Sequence, residues 1–452
     1  MTFTTLTFLF IFLPVSVGLY ALIAPRSYRA KSILLILASL LFYSWSDVQA
    51  LPVLIFSVVF NFATARLICA YKQNKLTLAK VALGVGVGMD ALVLCLYKYT
   101  NLSLPLGISF YTFSAISYLV DIYRDDDQKP ASFLESCVFI TFFPKLLMGP
   151  IAQFKDFKGQ LKMAHLTKAN LFAGLYLFML GMFKKVLLAD QLGANFGSIY
   201  ALQSKTVVAA WLGMIFYGLQ LYFDFSGYSD MAIGLGRIFG FKIKKNFDYP
   251  YTSSSVSEFW RRWHISLGAW FKEYVYFPLG GNRVSNLLLL RNLCIVWLLT
   301  GIWHGSTWNF VVWGLFHGAF VVAEKFFLNQ KTQSWSPKIR KMATCLIVFI
   351  GWVFFFNPSL GAAGVWLGNL VGIGASSFMD GQTFYLIYSN LVLLVTAIVA
   401  SGPGLRNRGR LIIGNSKNKG RIGVAAVFAL LCILSIAAMV GSTYSSFLYA
   451  KF

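Results

Sequence analysis

Long apolar runs alternate with short polar segments along almost the whole chain. A transmembrane helix needs roughly 20 apolar residues to cross a hydrocarbon core about 30 Å thick, and many runs approach that length. We therefore predict an all-α, polytopic integral membrane protein with about 11–13 transmembrane or re-entrant helices. The predicted apolar segments are residues 3–24, 31–46, 50–70, 79–98, 104–121, 170–189, 208–238, 286–303, 305–323, 342–356, 384–402 and 422–442.

Two stretches break this alternation. Residues 132–153 contain Pro144, Gly149 and Pro150. We expect a broken or re-entrant segment there, because backbone groups freed by proline and glycine must meet protein or water. Residues 240–285 are rich in aromatic and charged side chains, and no uninterrupted membrane helix fits them. Short amphipathic or re-entrant helices are predicted in this second stretch.

The composition supports membrane insertion and limits the partners. Hydrophobic residues make up 58% of the chain and charged residues only 12%, about half the share usual in soluble domains. The formal net charge is +23, but lysines and arginines lie in short clusters between apolar runs, such as Arg406, Arg408 and Arg410. This pattern is typical of cytoplasmic loops next to anionic lipid, so no nucleic-acid partner is expected.

The basic clusters also predict orientation. Basic residues follow the first apolar run, which is too long for a signal-peptide core, so that run is expected to be a retained helix with the amino terminus outside. Segments 66–80 and 405–421 are expected to be basic cytoplasmic loops, which places the carboxyl end outside. The six cysteines are scattered, so neither a disulfide framework nor a metal site is predicted.

The histidines are the first candidates for chemistry, because ionisable groups inside a membrane are costly and usually functional. His304 lies at the junction of two apolar runs, between Trp303 and Trp308, and Gly301 and Gly305 would let a substrate approach. A neutral imidazole in an apolar site is a suitable base for a hydroxyl group. On this pattern alone, a core histidine bonded to a backbone carbonyl is an equally good interpretation.

His264 is the second candidate. It lies in an aromatic segment shortly after Arg261 and Arg262. Guanidinium groups match phosphate oxygens, so this arginine pair is a candidate for donor or phosphate binding. An anchor at the membrane interface is the alternative for the pair.

Other polar residues are interpreted as structural or solvated. His317 follows His304 on the same predicted helix but not on the same face, so a structural role is expected. His165 lies in a lysine-rich loop and is expected to be solvated. Asp224 and Asp230, in one apolar run, are expected to brace the fold, with orientation of a histidine as the alternative.

Eight blocks of distinctive sequence lie in the central part of the chain. They are residues 104–113, 117–124, 143–151, 222–230, 247–251, 259–266, 303–305 and 313–318. In number and order they resemble the membrane-bound O-acyltransferase (MBOAT) family, and within it the bacterial branch concerned with alginate O-acetylation. The resemblance implies helices arranged around a central funnel. It matches the family histidine to His304 and the second histidine of that branch to His264. One departure is Asn357, where relatives often carry arginine.

The resemblance implies one MBOAT-type membrane domain over residues 1–452, with amino-terminal helices over 1–100, a catalytic core over 104–323 and carboxyl-terminal helices over 340–452. It further implies an O-acyltransferase that moves an acyl group, expected to be acetyl, from a cytoplasmic thioester towards an acceptor outside. His304 would be the general base, and His264 would help to position donor or acceptor. No bound cofactor is expected, because acetyl-CoA or another acyl thioester is a substrate. The implied partners are membrane lipid, a polysaccharide acceptor pathway and an extracytoplasmic acetyltransferase, at a bacterial cytoplasmic (inner) membrane.

The carboxyl tail, residues 446–452, also resembles the aromatic tail of that branch, although Ala450 and Lys451 depart from it. Tyr449 is a candidate acyl relay that would accept the acyl group before an extracytoplasmic transferase collects it. An aromatic anchor is the simpler interpretation of this tyrosine. Two other functions stay open, namely D-alanyl transfer to teichoic acid from an acidic carrier protein, and a non-enzymatic transporter or flippase. The lack of detectable internal repeats weighs against a transporter.

Overall fold

The computed structural model describes residues 1–125, 131–332, 334–415, 418–441 and 447. Within these residues the chain consists of helices joined by loops, and no β-strand occurs. Nine of the described helices are long and apolar enough to cross a membrane, and Phe8–Ile23 and Leu360–Leu370 are shorter apolar helices. The chain is therefore an all-α, multi-pass membrane protein, as the hydrophobic pattern predicts.

The amino-terminal part contains five successive helices. They are α1 (Phe8–Ile23), α2 (Tyr28–Ser46), α3 (Leu51–Lys72), α4 (Leu76–Tyr99) and α5 (Ile108–Arg124). The amino group of Met1 donates a hydrogen bond of 2.8 Å to Ser46, at the end of α2. Lys72, at the end of α3, donates one of 2.7 Å to the carbonyl of Asp125. These contacts join the amino terminus to the end of α2, and the end of α3 to the end of α5.

The stretch after α5 is broken, as Pro144 and Gly149 predict. A Cβ atom on Gly149 would overlap the backbone of Lys145, so the chain doubles back there where only glycine fits. The short helices are α6 (Phe133–Thr141), α7 (Phe143–Leu146), α8 (Phe154–Phe157) and α9 (Gln160–Met163).

Two long helices form the centre of the structure, namely α10 (Lys168–Tyr200) and α11 (Val207–Ile238). They share the most extensive helix–helix contact in the described part of the chain. A Cβ atom on Gly174 would lie 2.5 Å from the carbonyl oxygen of Gly234, so small residues let the two backbones approach closely. Most of α11 is buried, which makes it the central helix of the fold.

Ion pairs join these central helices. Lys185 of α10 lies 2.6 Å from Asp190 and 2.7 Å from Asp224, and all three side chains are largely buried. The neighbouring Lys184 lies 2.6 Å from Asp230. These pairs confirm the expectation that Asp224 and Asp230 brace the fold.

The region 240–285 contains short helices and no span, as predicted. These short helices include α12 (Val256–Arg262) and α13 (Ile265–Phe271). The helices that follow the region are α14 (Asn286–His304), α15 (Trp308–Leu328), α16 (Asn329–Thr332), α17 (Pro337–Phe356), α18 (Leu360–Leu370), α19 (Gly381–Ala400), α20 (Gly404–Asn415) and α21 (Asn418–Gly441).

In this carboxyl-terminal part, two predictions are wrong, namely that 405–421 is a loop without a helix and that His304 and His317 share one helix, and one helix was missed. The predicted basic loop 405–421 contains helix α20, whose sequence is too polar to resemble a span. Helix α18 was not predicted, because its eleven residues are shorter than a membrane crossing. His304 and His317 lie on different helices, since Gly305 is fully extended and ends α14.

Candidate functional site

The two candidate histidines meet around one tryptophan. The ring centroid of Trp303 lies 4.8 Å from that of His304 and 6.3 Å from that of His264. Both imidazoles are buried, each with 2% of its surface exposed. The fold thus brings together two histidines that are forty positions apart in the sequence.

His304 is the last residue of α14, and its ring is held by its own helix. The Nδ1 atom lies 2.7 Å from the carbonyl oxygen of Thr300, one turn earlier. A carbonyl only accepts hydrogen bonds, so Nδ1 carries the hydrogen and Nε2 is the basic nitrogen of the neutral ring. A hydrogen bond to a backbone carbonyl is what we expected of a purely structural histidine. The same bond also selects the tautomer in which Nε2 can accept a proton, as a general base requires.

Aromatic side chains surround His304. Besides Trp303, the ring centroids of Trp313 and Phe355 lie 4.6 Å and 5.6 Å from the imidazole. Phe355 comes from α17, two positions before Asn357. The Asn357 carbonyl accepts a 2.6 Å hydrogen bond from Asn309, which ties the end of α17 to the start of α15. This contact uses the backbone of residue 357, and the Asn357 side chain donates a 2.8 Å hydrogen bond to the Val353 carbonyl of its own helix.

Close packing of α14 against α15 sets the position of His304. A Cβ atom on Gly314 would lie 2.5 Å from the carbonyl oxygen of Trp297. A Cβ atom on Gly301 would lie 2.5 Å from the carbonyl oxygen of Phe310. Because neither position has room for a side chain, any larger residue must separate the helices and move the imidazole.

His264 is held in an unusual backbone conformation. Its φ of 45° and ψ of 52° lie in the left-handed region, where a non-glycine residue costs on the order of 1–3 kcal/mol. Among the described non-glycine residues, only Tyr249 shares a positive φ. The conformation lets the chain turn between α12 and α13 with the imidazole directed against Phe225, whose ring centroid is 4.7 Å away.

One asparagine organises the surroundings of His264. The Oδ1 atom of Asn246 accepts hydrogen bonds from the Ser266 backbone nitrogen at 3.0 Å and from its hydroxyl at 2.9 Å. The same oxygen lies 3.3 Å from Nδ1 of His264, which is therefore the protonated nitrogen. Burial, with a smaller contribution from nearby His304, lowers the pKa of His264 well below its usual range. The sequence interpretation missed Asn246, whose only signal was its place before the block 247–251.

The other histidines have the surroundings that were expected of them. His317 is buried against Trp260 and Trp313, with ring centroids 4.9 Å and 5.4 Å away. Its ring nitrogens have no hydrogen-bond partner within the described structure, which fits a packing role. His165 is exposed, and its Nδ1 lies 2.7 Å from the carbonyl oxygen of Met163.

The arginine pair is divided between two environments. Arg262 forms an ion pair of 2.6 Å with Glu258, one turn earlier, and donates a 3.2 Å hydrogen bond to Thr252. Arg261 is exposed. Of these two arginines, Arg261 is the one whose guanidinium group has no ion pair or hydrogen bond in the described structure.

Tyr449 lies outside the described residues. Phe447, two positions earlier, is buried with 2% of its surface exposed. Its ring centroid lies 5.1 Å from that of Tyr228 and 4.5 Å from Nζ of Lys185. The carboxyl tail therefore reaches the interior between α10 and α11 at this residue.

A basic cleft, called here the lysine cleft, is lined in part by Ile265 and Ser266, which directly follow His264 in the sequence. The side chain of Ser266 bonds to Asn246, whose oxygen also lies within hydrogen-bond distance of His264. The charged residues that line it are Lys145, Lys242, Lys244, Lys245 and Asp156.

Lys145 is the buried member of the lysine cleft, with 4% of its surface exposed. Its Nζ donates a 3.3 Å hydrogen bond to Ser114 and lies 4.6 Å from the ring centroid of Phe139. Burial lowers the pKa of Lys145 to about 7. Neither Arg261 nor Arg262 lines this cleft. No group of three or more His, Cys, Asp or Glu side chains suited to a metal ion occurs among the described residues.

The fold and the histidine pair together define a multi-pass membrane protein with a buried imidazole site. The sequence profile of the MBOAT, membrane-bound O-acyltransferase family matches residues 2–361, and the chain belongs to this family. It is an O-acyltransferase.

Relatives of named activity cover much of the chain. It is 35% identical to a probable alginate O-acetylase of Pseudomonas fluorescens, with all of both chains covered. It is 36% identical to a peptidoglycan O-acetyltransferase of Helicobacter pylori, over 83% of this chain and 80% of that one. Similarity to a teichoic acid D-alanyltransferase of Streptococcus thermophilus, 32% identical, covers 50% of this chain and 58% of the relative.

Proposed function

We propose that this protein transfers acetyl groups from a cytoplasmic thioester into the O-acetylation of an extracytoplasmic polysaccharide such as alginate, with His304 as general base. The observation that carries the proposal is the bond from Nδ1 of His304 to the Thr300 carbonyl, which makes Nε2 the basic nitrogen. The names of the two relatives with the greater coverage support a polysaccharide acceptor and an acetyl group. The shorter match to the D-alanyltransferase makes that activity the weaker alternative.

In the proposed reaction, Nε2 of His304 removes the proton from an acceptor hydroxyl. The hydroxyl oxygen attacks the thioester carbonyl carbon, the carbon–sulfur bond breaks, and the electron pair leaves on sulfur. The imidazolium returns its proton to that sulfur, so the products are an ester and a free thiol. Burial among aromatic rings excludes water that would hydrolyse the thioester. His264, which also contacts Trp303, would position the donor or the acceptor.

The anionic part of the donor would bind in the lysine cleft. Coenzyme A and phosphopantetheine carry phosphate groups, and four lysines with one acid give the cleft a positive charge that suits them. The thioester arm would then pass Ser266 towards His264. Arg261 and Arg262 are the alternative phosphate ligands, although Arg262 is engaged by Glu258.

The acyl group would leave through the carboxyl tail or directly to the polymer. In the relay, the phenol oxygen of Tyr449 forms the ester, and a separate extracytoplasmic acetyltransferase of the bacterial cytoplasmic membrane collects the acyl group. Burial of Phe447 between Tyr228 and Lys185 supports an inward path of the tail. Tyr449→Phe should stop polymer acetylation, whereas Tyr385→Phe, at an exposed position of α19, should not. Full activity of Tyr449→Phe would exclude the relay.

The proposed function is tested by His304→Ala in cells that lack the native gene. Polymer acetylation should disappear while the membrane level of the protein stays normal. His165→Ala, at an exposed histidine, is the matched control and should be active. Normal acetylation in the His304 variant contradicts the proposal. Membrane vesicles supplied with labelled acetyl-CoA separate acetyl transfer from D-alanyl transfer, and movement of the intact labelled donor across the vesicle membrane without an ester product would indicate transport.

A further inference from the structure

The helix that carries His304 is capped by a residue from a distant part of the chain. Lys98, in the last turn of α4, donates a hydrogen bond from Nζ to the carbonyl oxygen of Trp303. The next residue, Tyr99, donates a hydrogen bond to the carbonyl oxygen of Ile302. The last carbonyls of a helix have no partner within the helix, so α4 supplies the partners that α14 lacks.

Lys98 also contacts the aromatic ring that joins the two histidines. Its Nζ lies 5.3 Å from the ring centroid of Trp303, within the range of a cation–π interaction. The Lys98 ammonium group therefore contacts both the backbone carbonyl and the indole ring of Trp303. Trp303 contacts His304 and His264 in turn.

Among the described residues, no carboxylate forms an ion pair with Lys98, although this lysine lies at the end of a membrane-spanning helix. A positive charge also complements the negative end of the α14 dipole, where the carbonyls of Ile302 and Trp303 point. A cation at the end of a membrane helix that has no carboxylate partner among the described residues is expected to serve function rather than stability alone.

We propose that Lys98 is a positioning residue of the acyl-transfer site: its ammonium group fixes the end of α14 and the Trp303 indole, and thereby holds His304 in the geometry of attack. The inference rests on the proposed role of His304. Tyr99 shares the capping of α14 but has neither the charge nor the indole contact, so it is the natural comparison.

The test measures acetyl transfer by purified full-length protein in lipid nanodiscs, with acetyl-CoA as donor. Lys98→Met should lower kcat on the order of 100-fold, the usual effect of a misplaced catalytic group, and leave the donor KM within threefold. Tyr99→Phe should lower kcat less than tenfold. Lys98→Arg, which keeps a charged donor, should recover activity relative to Lys98→Met.

Chemical rescue separates positioning from folding in one and the same protein sample. Lys98→Cys alkylated with 2-bromoethylamine regains a lysine-like ammonium group and should regain much of the lost kcat, whereas iodoacetamide should not restore it. Wild type treated with each reagent controls for the native cysteines. Equal activity of the two alkylated samples, or kcat of Lys98→Met within threefold of wild type, overturns the inference. If His304→Ala is active, the proposed function fails first; if it is inactive while Lys98→Met is normal, only this inference fails.

Discussion

The Nδ1 atom of His304 and the carbonyl oxygen of Thr300 lie 2.7 Å apart on the same helix. Since the imidazole is tied to the backbone of its own last turn, its orientation follows the end of α14 as a rigid unit. Contacts that place this helix end therefore control the reactive nitrogen. Several of them come from residues that never touch the histidine.

The first prediction concerns Gly314, where a Cβ atom would lie 2.5 Å from the Trp297 carbonyl. Gly314→Ala should separate α15 from α14 and displace His304, and displacement of about 1 Å can cost on the order of 100-fold in rate. Acetyl transfer and thermal stability in detergent are the measurements. Gly88→Ala, at a glycine with open space around it, is the control and should resemble wild type. Normal activity of Gly314→Ala would show that the helices adjust without moving the site.

The second prediction concerns Asn246, which binds Ser266 and His264 through one oxygen. Asn246→Leu leaves buried donors without their acceptor, which costs about 1–3 kcal/mol. We expect a lower unfolding temperature and a loss of kcat, because His264 loses its hydrogen-bond partner. Asn195→Leu should have little effect, since that amide donates only to the Gln191 carbonyl of its own helix. Equal effects of both variants would mean that Asn246 does not act through His264.

The third prediction separates two neighbouring lysines of α10. Lys185→Met removes the ammonium group from buried Asp190 and Asp224, which should destabilise the fold by roughly 3–5 kcal/mol. Lys184→Met should cost much less, because its pair with Asp230 is partly exposed. Thermal unfolding of the purified variants measures the difference. Adding Asp224→Asn to Lys185→Met should recover part of the stability, and no recovery would mean that uncompensated charge is not the cause.

The fourth prediction is a pH dependence of donor binding, and it rests on the proposed function. The pKa of Lys145 is about 7, so the lysine gains its charge as the pH falls through neutrality. An anionic donor should then bind more tightly at pH 6 than at pH 8, by on the order of fivefold for an interaction of about 1 kcal/mol. The donor KM measured at both values tests this.

Two variants serve as controls for that pH dependence. Lys145→Met should abolish the difference between pH 6 and pH 8, whereas Lys242→Met should weaken donor binding at both values alike. Arg261→Gln tests the alternative phosphate ligand in the same assay. A larger rise of KM in Arg261→Gln than in both lysine variants would move the donor site away from the lysine cleft.

The sequence predicted most of the long helices because hydrophobicity and length are properties of local segments. The prediction of a broken segment around Pro144 and Gly149 was correct for the same reason, since both residues act on the adjacent backbone. The hydrophobic pattern did not predict α20, because this helix forms without an apolar run. It also did not predict that α14 ends at Gly305 and so places His304 and His317 on different helices. The structure brings the predicted His264 and His304 together at Trp303, whereas the contacts of Asn246 and Lys98 were not predicted.

The amino-acid sequence alone determines that this chain is a multi-pass helical membrane protein, and its motifs single out His304 and His264. Only the tertiary structure decides that these histidines share Trp303, that Asn246 holds one of them, and that Lys98 caps the helix of the other. The physical reason is that the contacts of His264 with Asn246 and of Lys98 with Trp303 join residues that are 18 and 205 positions apart along the chain. They depend on how whole helices pack, and local patterns of polarity contain no information about that packing.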